Sequence, residues 1–223
     1  MKKILWALGL ALTALACNDT KTKQEVAPVE NWVNLFNGTD LSGWVKKGGE
    51  APYRVEDGTI VGTTIPNSPN TFLSTADTFQ NFILELELRL EDSLLNSGVQ
   101  IRSHAVQEEG YPNGKVYGYQ VEVDPKTRAW SGGIYEEKGR GWIFRLEGDD
   151  MAEARAAFKL GEWNHYRIYA NQDTIRTWVN GVPVANLIDS LPPQAGFIGL
   201  QVHSTREEKP MEVSFRNIRL LRL

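Results

Sequence analysis

Apolar and polar residues alternate in two-residue steps along several stretches of this chain. Phe82-Ile83-Leu84-Glu85-Leu86-Glu87-Leu88-Arg89-Leu90 is the longest, and Val99-Gln100-Ile101-Arg102, Tyr119-Gln120-Val121-Glu122-Val123-Asp124 and Leu200-Gln201-Val202-His203 repeat the pattern. Successive side chains of a strand point to opposite faces, so each stretch predicts a strand with one face on a core. The opposite face would carry Glu85, Glu87, Arg89, Gln100, Arg102, Gln120, Glu122, Asp124, Gln201 and His203. A merely solvated face favours Lys, Thr and Ser. Carboxylates, guanidiniums, amides and an imidazole instead suit a groove for a polar ligand such as a sugar.

Turn chemistry separates the strands. Asp57-Gly58 joins Tyr53–Glu56 to Thr59–Gly62, and Asn180-Gly181 joins Ile175–Val179 to Val182–Ala185, both hairpin signals. Asn164–Tyr169 alternates, as does Met211–Leu221, with an irregularity expected near Asn217. Asp150–Phe158 alone reads as helical, being Ala-rich with acidic residues at its start. Many short strands with regular turns predict an all-β sandwich or jelly roll. His104–Gly118 and Trp130–Trp142 read as long loops mixing aromatics with glycine, so Tyr117 and Tyr135 are candidate rim residues.

The ends change the picture. Lys2 and Lys3 precede an apolar run, Ile4–Ala16, that is too short to span a bilayer, and Cys17 follows it directly. Residues 1–17 therefore read as a lipoprotein signal peptide with Cys17 as the lipidated residue, which places the protein at the cell envelope, periplasmic or on the outer-membrane surface. Residues 18–31 are polar and read as a tether, and 32–223 as one domain. Cys17 is the sole cysteine, so disulfides and thiol catalysis are excluded from that domain. The net charge of −4, without a basic patch, argues against nucleic acid, and no protein partner is evident. Seven Trp residues suit stacking on sugar rings.

Eight motifs in order carry a resemblance. Leu35-Phe36-Asn37-Gly38-Thr39-Asp40-Leu41-Ser42-Gly43-Trp44, Asn96-Ser97-Gly98-Val99-Gln100-Ile101-Arg102 and Gly118-Tyr119-Gln120-Val121-Glu122-Val123-Asp124 are three of them. Gly133-Ile134-Tyr135, Gly161-Glu162-Trp163-Asn164, Trp178-Val179-Asn180-Gly181, Gly199-Leu200-Gln201-Val202-His203 and Phe215-Arg216-Asn217-Ile218 complete the set. The chain resembles the 3-keto-disaccharide hydrolase family over roughly residues 32–223, so the domain is expected to be complete. The resemblance implies a concanavalin A-like jelly-roll sandwich of two curved antiparallel sheets, acting on sugars oxidised to a ketone at C3. Two departures stand out. The family often has an acid where Gln120 stands and an amide where Glu122 stands, and Ser204–Pro210 intervenes where the family runs quickly to its last strand.

A 3-keto group acidifies the C2 proton, so cleavage can proceed by removing that proton and expelling the C1 substituent, with water then adding to the enone. Such a site needs a base, an acid and positive charge or donors for the enolate. The catalytic candidates are His203 as base, Glu122 or Asp124 as acid or as orienter of His203, and Arg102 for the enolate. Gln120, Gln100, Gln201, Glu85, Tyr117, Tyr135, Trp178 and Asn96 are the substrate-binding candidates, with ion pairing to Arg89 or Arg102 the alternative for Glu85. No cofactor is required, although His203, Glu122 and Asp124 are together a candidate set for a divalent ion. Two other readings stay open: a glycoside hydrolase on unoxidised sugars, with Glu122 and Asp124 about 7 Å apart by strand rise, and a carbohydrate-binding module.

Overall fold

The computed structural model describes residues 31–191 and 194–223. The signal segment, Cys17 and nearly all of the tether lie outside the described residues. Among the described residues fifteen strands run in chain order: β1 Trp32–Asn34, β2 Trp44–Gly48, β3 Tyr53–Glu56, β4 Thr59–Thr63, β5 Thr71–Thr75, β6 Phe82–Leu90, β7 Ser97–Glu108, β8 Tyr111–Val123, β9 Ile134–Glu137, β10 Gly141–Phe144, β11 Asn164–Asn171, β12 Thr174–Val179, β13 Val182–Ile188, β14 Phe197–Val202 and β15 Glu212–Arg222. They form two antiparallel sheets packed face to face, the jelly-roll sandwich that the alternation predicts. Among the described residues a single short helical segment, Asp149–Arg155, overlaps the predicted helix at Asp150–Phe158.

The back sheet has the order β13-β12-β11-β6-β15-β4-β3, with β1 paired to β15. The front sheet has the order β10-β9-β8-β2-β5-β14-β7, and β7 also pairs with β8. Between the sheets, Leu84, Leu86, Leu88 and Leu90 of β6 and Val213 and Phe215 of β15 meet Val99 and Ile101 of β7, Val121 and Val123 of β8 and Leu200 of β14, all fully buried. Burying each such side chain stabilises the fold by about 1.5–3 kcal/mol. This double layer holds the strands in register and so fixes which side chains the outer faces carry.

The turns form where the sequence places them. Asp57 and Gly58 both have positive φ (48° and 72°), as do Asn180 and Gly181 (51° and 81°), which is the backbone a two-residue hairpin requires. Asn217, with φ 53°, sits in a bulge between Arg216 and Arg219 of β15. The expected loops at His104–Gly118 and Trp130–Trp142 are instead largely strand. The first is the distal half of the β7–β8 hairpin and the second contains the β9–β10 hairpin. Glycines and aromatics suggest a loop in sequence, yet the aromatics pack across the hairpins: Tyr135 meets Trp142 edge-on at 5.5 Å, and Trp130 meets Trp142 at 4.8 Å.

The β7–β8 hairpin curls. Asn113 of β8 pairs with Gly48 of β2, and its Nδ2 donates to the Gly49 carbonyl at 2.7 Å, so β8, β2, β5, β14 and β7 close into a small barrel. Phe72, Val116 and Phe197 form a second apolar cluster there, separate from the main core. The rest of the front face keeps its polar side chains.

Candidate active site

Four front-sheet strands present the polar side chains. Gln120 and Glu122 lie two residues apart on β8, Gln100 faces Gln120 across β7, Gln201 lies on β14 with His203 just beyond it, and Tyr135 and Glu137 lie on β9. The backbone of Glu122 is held by its N–H to the Gly133 carbonyl (2.9 Å) and by the Gly132 N–H to its carbonyl (2.8 Å). Gly98, opposite Glu122, leaves room for the Gln120 side chain; a Cβ on Gly98 would lie 2.5 Å from Gln120 Cδ.

These residues enclose a cavity of about 300 Å³, lined by Asn96, Gln120, Glu122, Tyr135, Gln201 and His203, with Asn70, Arg128, Glu137, Lys138 and Trp142 around them. Glu122 is 4% exposed. Asn96 Nδ2 donates to its Oε1 (2.9 Å) and Gln120 Nε2 to its Oε2 (3.0 Å). Behind Gln120, Gln100 Nε2 donates to Gln120 Oε1 (2.7 Å), and Ser103 Oγ donates to Gln100 Oε1 (2.6 Å). Burial pushes the Glu122 carboxyl up to about 7, against the two amide donors and with help from the charges of Asp124 and Glu137. Burial also raises Glu137.

His203 is the complement. Its Nδ1 lies 2.7 Å from the Ser204 carbonyl oxygen, which can only accept, so Nδ1 carries the proton and Nε2 keeps its lone pair. Ser204 is itself fixed by its N–H to Asn70 Oδ1 at 2.8 Å. Burial lowers the imidazole below its ordinary pKa, outweighing the Ser204 bond. His203 is therefore neutral near pH 7 and equipped to take a proton.

Cations stand at the rim. Arg128 clamps Asp124 Oδ2 from Nε (2.9 Å) and Nη2 (2.8 Å), with its guanidinium against Trp130 and Trp142. Lys138 lies 3.8 Å from Glu137 and over the Tyr111 ring. Among the described residues no group of three or more His, Cys, Asp and Glu side chains is arranged to hold a metal ion, so the set of His203, Glu122 and Asp124 does not converge on one. Asp124 instead binds Arg128 through Oδ2, and its backbone N–H donates to the Ser131 hydroxyl at 2.9 Å. Several buried atoms at the site have no partner among the described residues: Asn96 Oδ1, Asp124 Oδ1 and both polar atoms of Gln201. An unpaired buried polar group costs on the order of 1–3 kcal/mol.

The family model described as the 3-keto-alpha-glucoside-1,2-lyase-like domain matches residues 31–221. The chain belongs to this family. A comparison with curated proteins finds no match. Among solved structures, the chain is similar to two putative glycosyl hydrolases from Parabacteroides distasonis ATCC 8503. One is 18% identical with a TM-score of 0.58, covering 87% of this chain and 94% of that one. The other is 22% identical with a TM-score of 0.54, covering 86% and 100%. A Bacillus subtilis protein of unknown function with a galectin-like fold is 13% identical, with a TM-score of 0.60 and coverage of 86% and 96%. At these identities the likeness is one of fold.

In this member of the lyase-like family, the cavity gathers six of the residues singled out in the sequence: His203, Glu122, Gln120, Gln201, Tyr135 and Asn96. Gln100 is fully buried one layer behind, bonded to Gln120. The others fall elsewhere. Glu85 lies on β6 of the back sheet, accepting from Arg219 Nε (2.9 Å) and from Arg167, with Glu87 beside it on Arg216. Neither Arg89 nor Arg102 is its partner. Trp178, on β12, is also in the back sheet, opposite Arg167. Arg102 occupies a β-bulge with φ 50°, which takes its side chain out of the alternation. Its guanidinium donates to the Gln80 carbonyl (2.5 Å), the Gln172 carbonyl (2.9 Å) and Asn81 Oδ1 (3.1 Å), and Arg102 lines a different cavity from that of Glu122 and His203. Tyr117 stacks on His104 at 5.6 Å beside a different cavity that includes Arg102 and Tyr119. Asn70, Arg128, Glu137, Lys138 and Trp142 were given no role by sequence. Of these, Arg128 had a signal, an arginine four residues after Asp124.

Proposed function

We propose that this protein cleaves 3-keto-glycosides by elimination across C1 and C2. The observation that carries the reading is the pairing, in one cavity, of His203 with its Nε2 lone pair free and Glu122 with a carboxyl raised to about 7. His203 Nε2 removes the C2 proton, and the C–H electron pair forms the enolate of the C3 ketone. The enolate re-forms the ketone as C1=C2 forms and the C1–O bond breaks, and Glu122 protonates the departing oxygen. Water then adds to the enone at C1, returning a proton to C2 and giving the 3-keto sugar. Arg128 and Lys138 supply positive potential at the rim, and Tyr135 with Trp142 supplies an aromatic wall for the ring. The anchor expected at Cys17 would hold this chemistry at the cell envelope.

The test is incubation with a disaccharide and with its 3-keto derivative, following monosaccharide release. Cleavage of the keto form alone, lost in His203→Ala and Glu122→Gln, supports elimination. A second reading is favoured by one observation: Glu122 and Glu137, both buried and both raised, line the same cavity. Release from the unoxidised disaccharide, lost in Glu137→Gln and retained in His203→Ala, would move the assignment to paired-carboxylate hydrolysis. Binding without turnover of either sugar would make the protein a carbohydrate-binding module.

A further inference from the structure

We infer that Gln201 is the oxyanion donor of this site: its side-chain N–H holds the C3 oxygen of the substrate while His203 removes the C2 proton. The inference rests on the elimination reading above and assigns the group that reading still lacks. Enolate formation needs a donor aimed at the oxygen where charge develops, fixed before the reaction begins. Arg102 cannot serve, because it lines a different cavity and is held there by Gln80, Gln172 and Asn81.

Gln201 is fully buried and lines the cavity, and neither its Nε2 nor its Oε1 has a hydrogen-bond partner among the described residues. The other two buried glutamines of the front sheet are bonded, Gln100 to Ser103 and Gln120, and Gln120 to Glu122. Gln201 alone of the three keeps both its donor and its acceptor for a ligand. Its place on the strand matches the chemistry. Gln201 near the end of β14 and His203 just past it open into the same cavity. The atoms they would serve, the C3 oxygen and the C2 hydrogen, are neighbours on the sugar. The backbone of Gln201 is paired to Phe72 of β5, and Ser97 Oγ donates to its carbonyl at 2.7 Å, so the amide is held on a rigid element.

The remaining groups sort accordingly. Gln201 Oε1 accepts from a hydroxyl beside the ketone, and Asn96 Oδ1, also buried and unpartnered, accepts from another. An α-hydroxyketone thus presents the acceptor and the donor that the Gln201 amide requires.

The experiment isolates the proton-transfer step. A 3-keto-1,5-anhydroalditol has the ketone and the C2 hydrogen but no aglycone at C1, so in D2O proton transfer at C2 shows as exchange of C2–H for deuterium, which NMR distinguishes from exchange at C4. Wild type should accelerate exchange over buffer, His203→Ala should abolish the acceleration, and Gln201→Met should lower it by about 10²–10³-fold. In cleavage of a 3-keto-disaccharide, Gln201→Met should lower kcat while KM changes little. Methionine matches glutamine in length and removes an unpaired buried amide, so its Tm should not fall; Gln201→Asn, which keeps the donor but withdraws it, provides a second variant. Wild-type exchange rates in both variants, or a loss confined to KM, would overturn the assignment while wild-type cleavage of the keto sugar left the elimination reading standing. A wild type that neither exchanges nor cleaves would sink the reading and the inference with it.

Discussion

Gln120 donates its side-chain N–H to the Glu122 carboxyl at 3.0 Å from two positions earlier on the same strand. The two residues form one hydrogen-bonded unit. Both are buried and only Glu122 titrates, so its proton is the one that the site can lend.

Glu122→Gln should lower kcat on a 3-keto-glycoside by roughly 10²–10⁴-fold. The wild-type rate should follow a bell-shaped pH profile. Its acid limb reflects protonation of His203, below that residue's ordinary value, and its alkaline limb reflects ionisation of Glu122 at about 7. A rate that stays flat well above pH 8 would show that Glu122 is not the acid.

The same carboxyl should mark the stability curve. Its pKa is raised in the folded state, so between its unfolded value and about 7 the native state holds more protons than the unfolded one. Stability then falls as pH rises through that window, and the penalty persists above it. Glu122→Gln should therefore gain more Tm relative to wild type at pH 8 than at pH 4.5, which thermal melts at the two pH values would check.

Gly98→Ala should act on the site through Gln120. The new Cβ would crowd Gln120 Cδ at 2.5 Å and Cγ at 2.6 Å, and Gln120 is tied to both Gln100 and Glu122, so it cannot move aside without breaking a bond. The substitution should cost about 1–3 kcal/mol and lower kcat. A fully active, equally stable variant would refute the proposed packing.

Arg102→Met should behave oppositely. Three acceptors lose a cationic donor, so stability should fall by about 2–5 kcal/mol, while kcat and KM of the folded fraction stay at wild-type levels. Denaturant melts and steady-state kinetics on one preparation would separate the two effects.

The alternation was enough to place β6, β7, β8 and β14 and to say which side chains share a strand face, because a period of two leaves no other solution with one face buried. It carries no information about which sheet a strand joins. Glu85 and Glu122 have the same local pattern, yet β6 lies between β11 and β15 in the back sheet and β8 beside β7 in the front. The bulge at Arg102 was equally silent, since one extra residue in a strand leaves the residue types unchanged. The motif Asn96-Ser97-Gly98 was legible and its physical reasons now differ by residue: Asn96 bonds Glu122, and Gly98 makes room for Gln120. Lys138 and Glu137 lie in a hairpin that reads as a loop, and their approach to Glu122 depends on β9 pairing with β8, which the local pattern does not encode.

The pairing of Asn113 with Gly48 bears on how the molecule meets its neighbours. An open sheet has two outermost strands whose unused backbone groups invite further strands from other copies. Among the described residues, β7 pairs with both β14 and β8, and the open edges left to the front sheet are β10, four residues long and begun by a glycine, and Trp44–Lys47 of β2, which meets β8 only at Gly48. Self-templated growth along that sheet is thereby denied a long foothold.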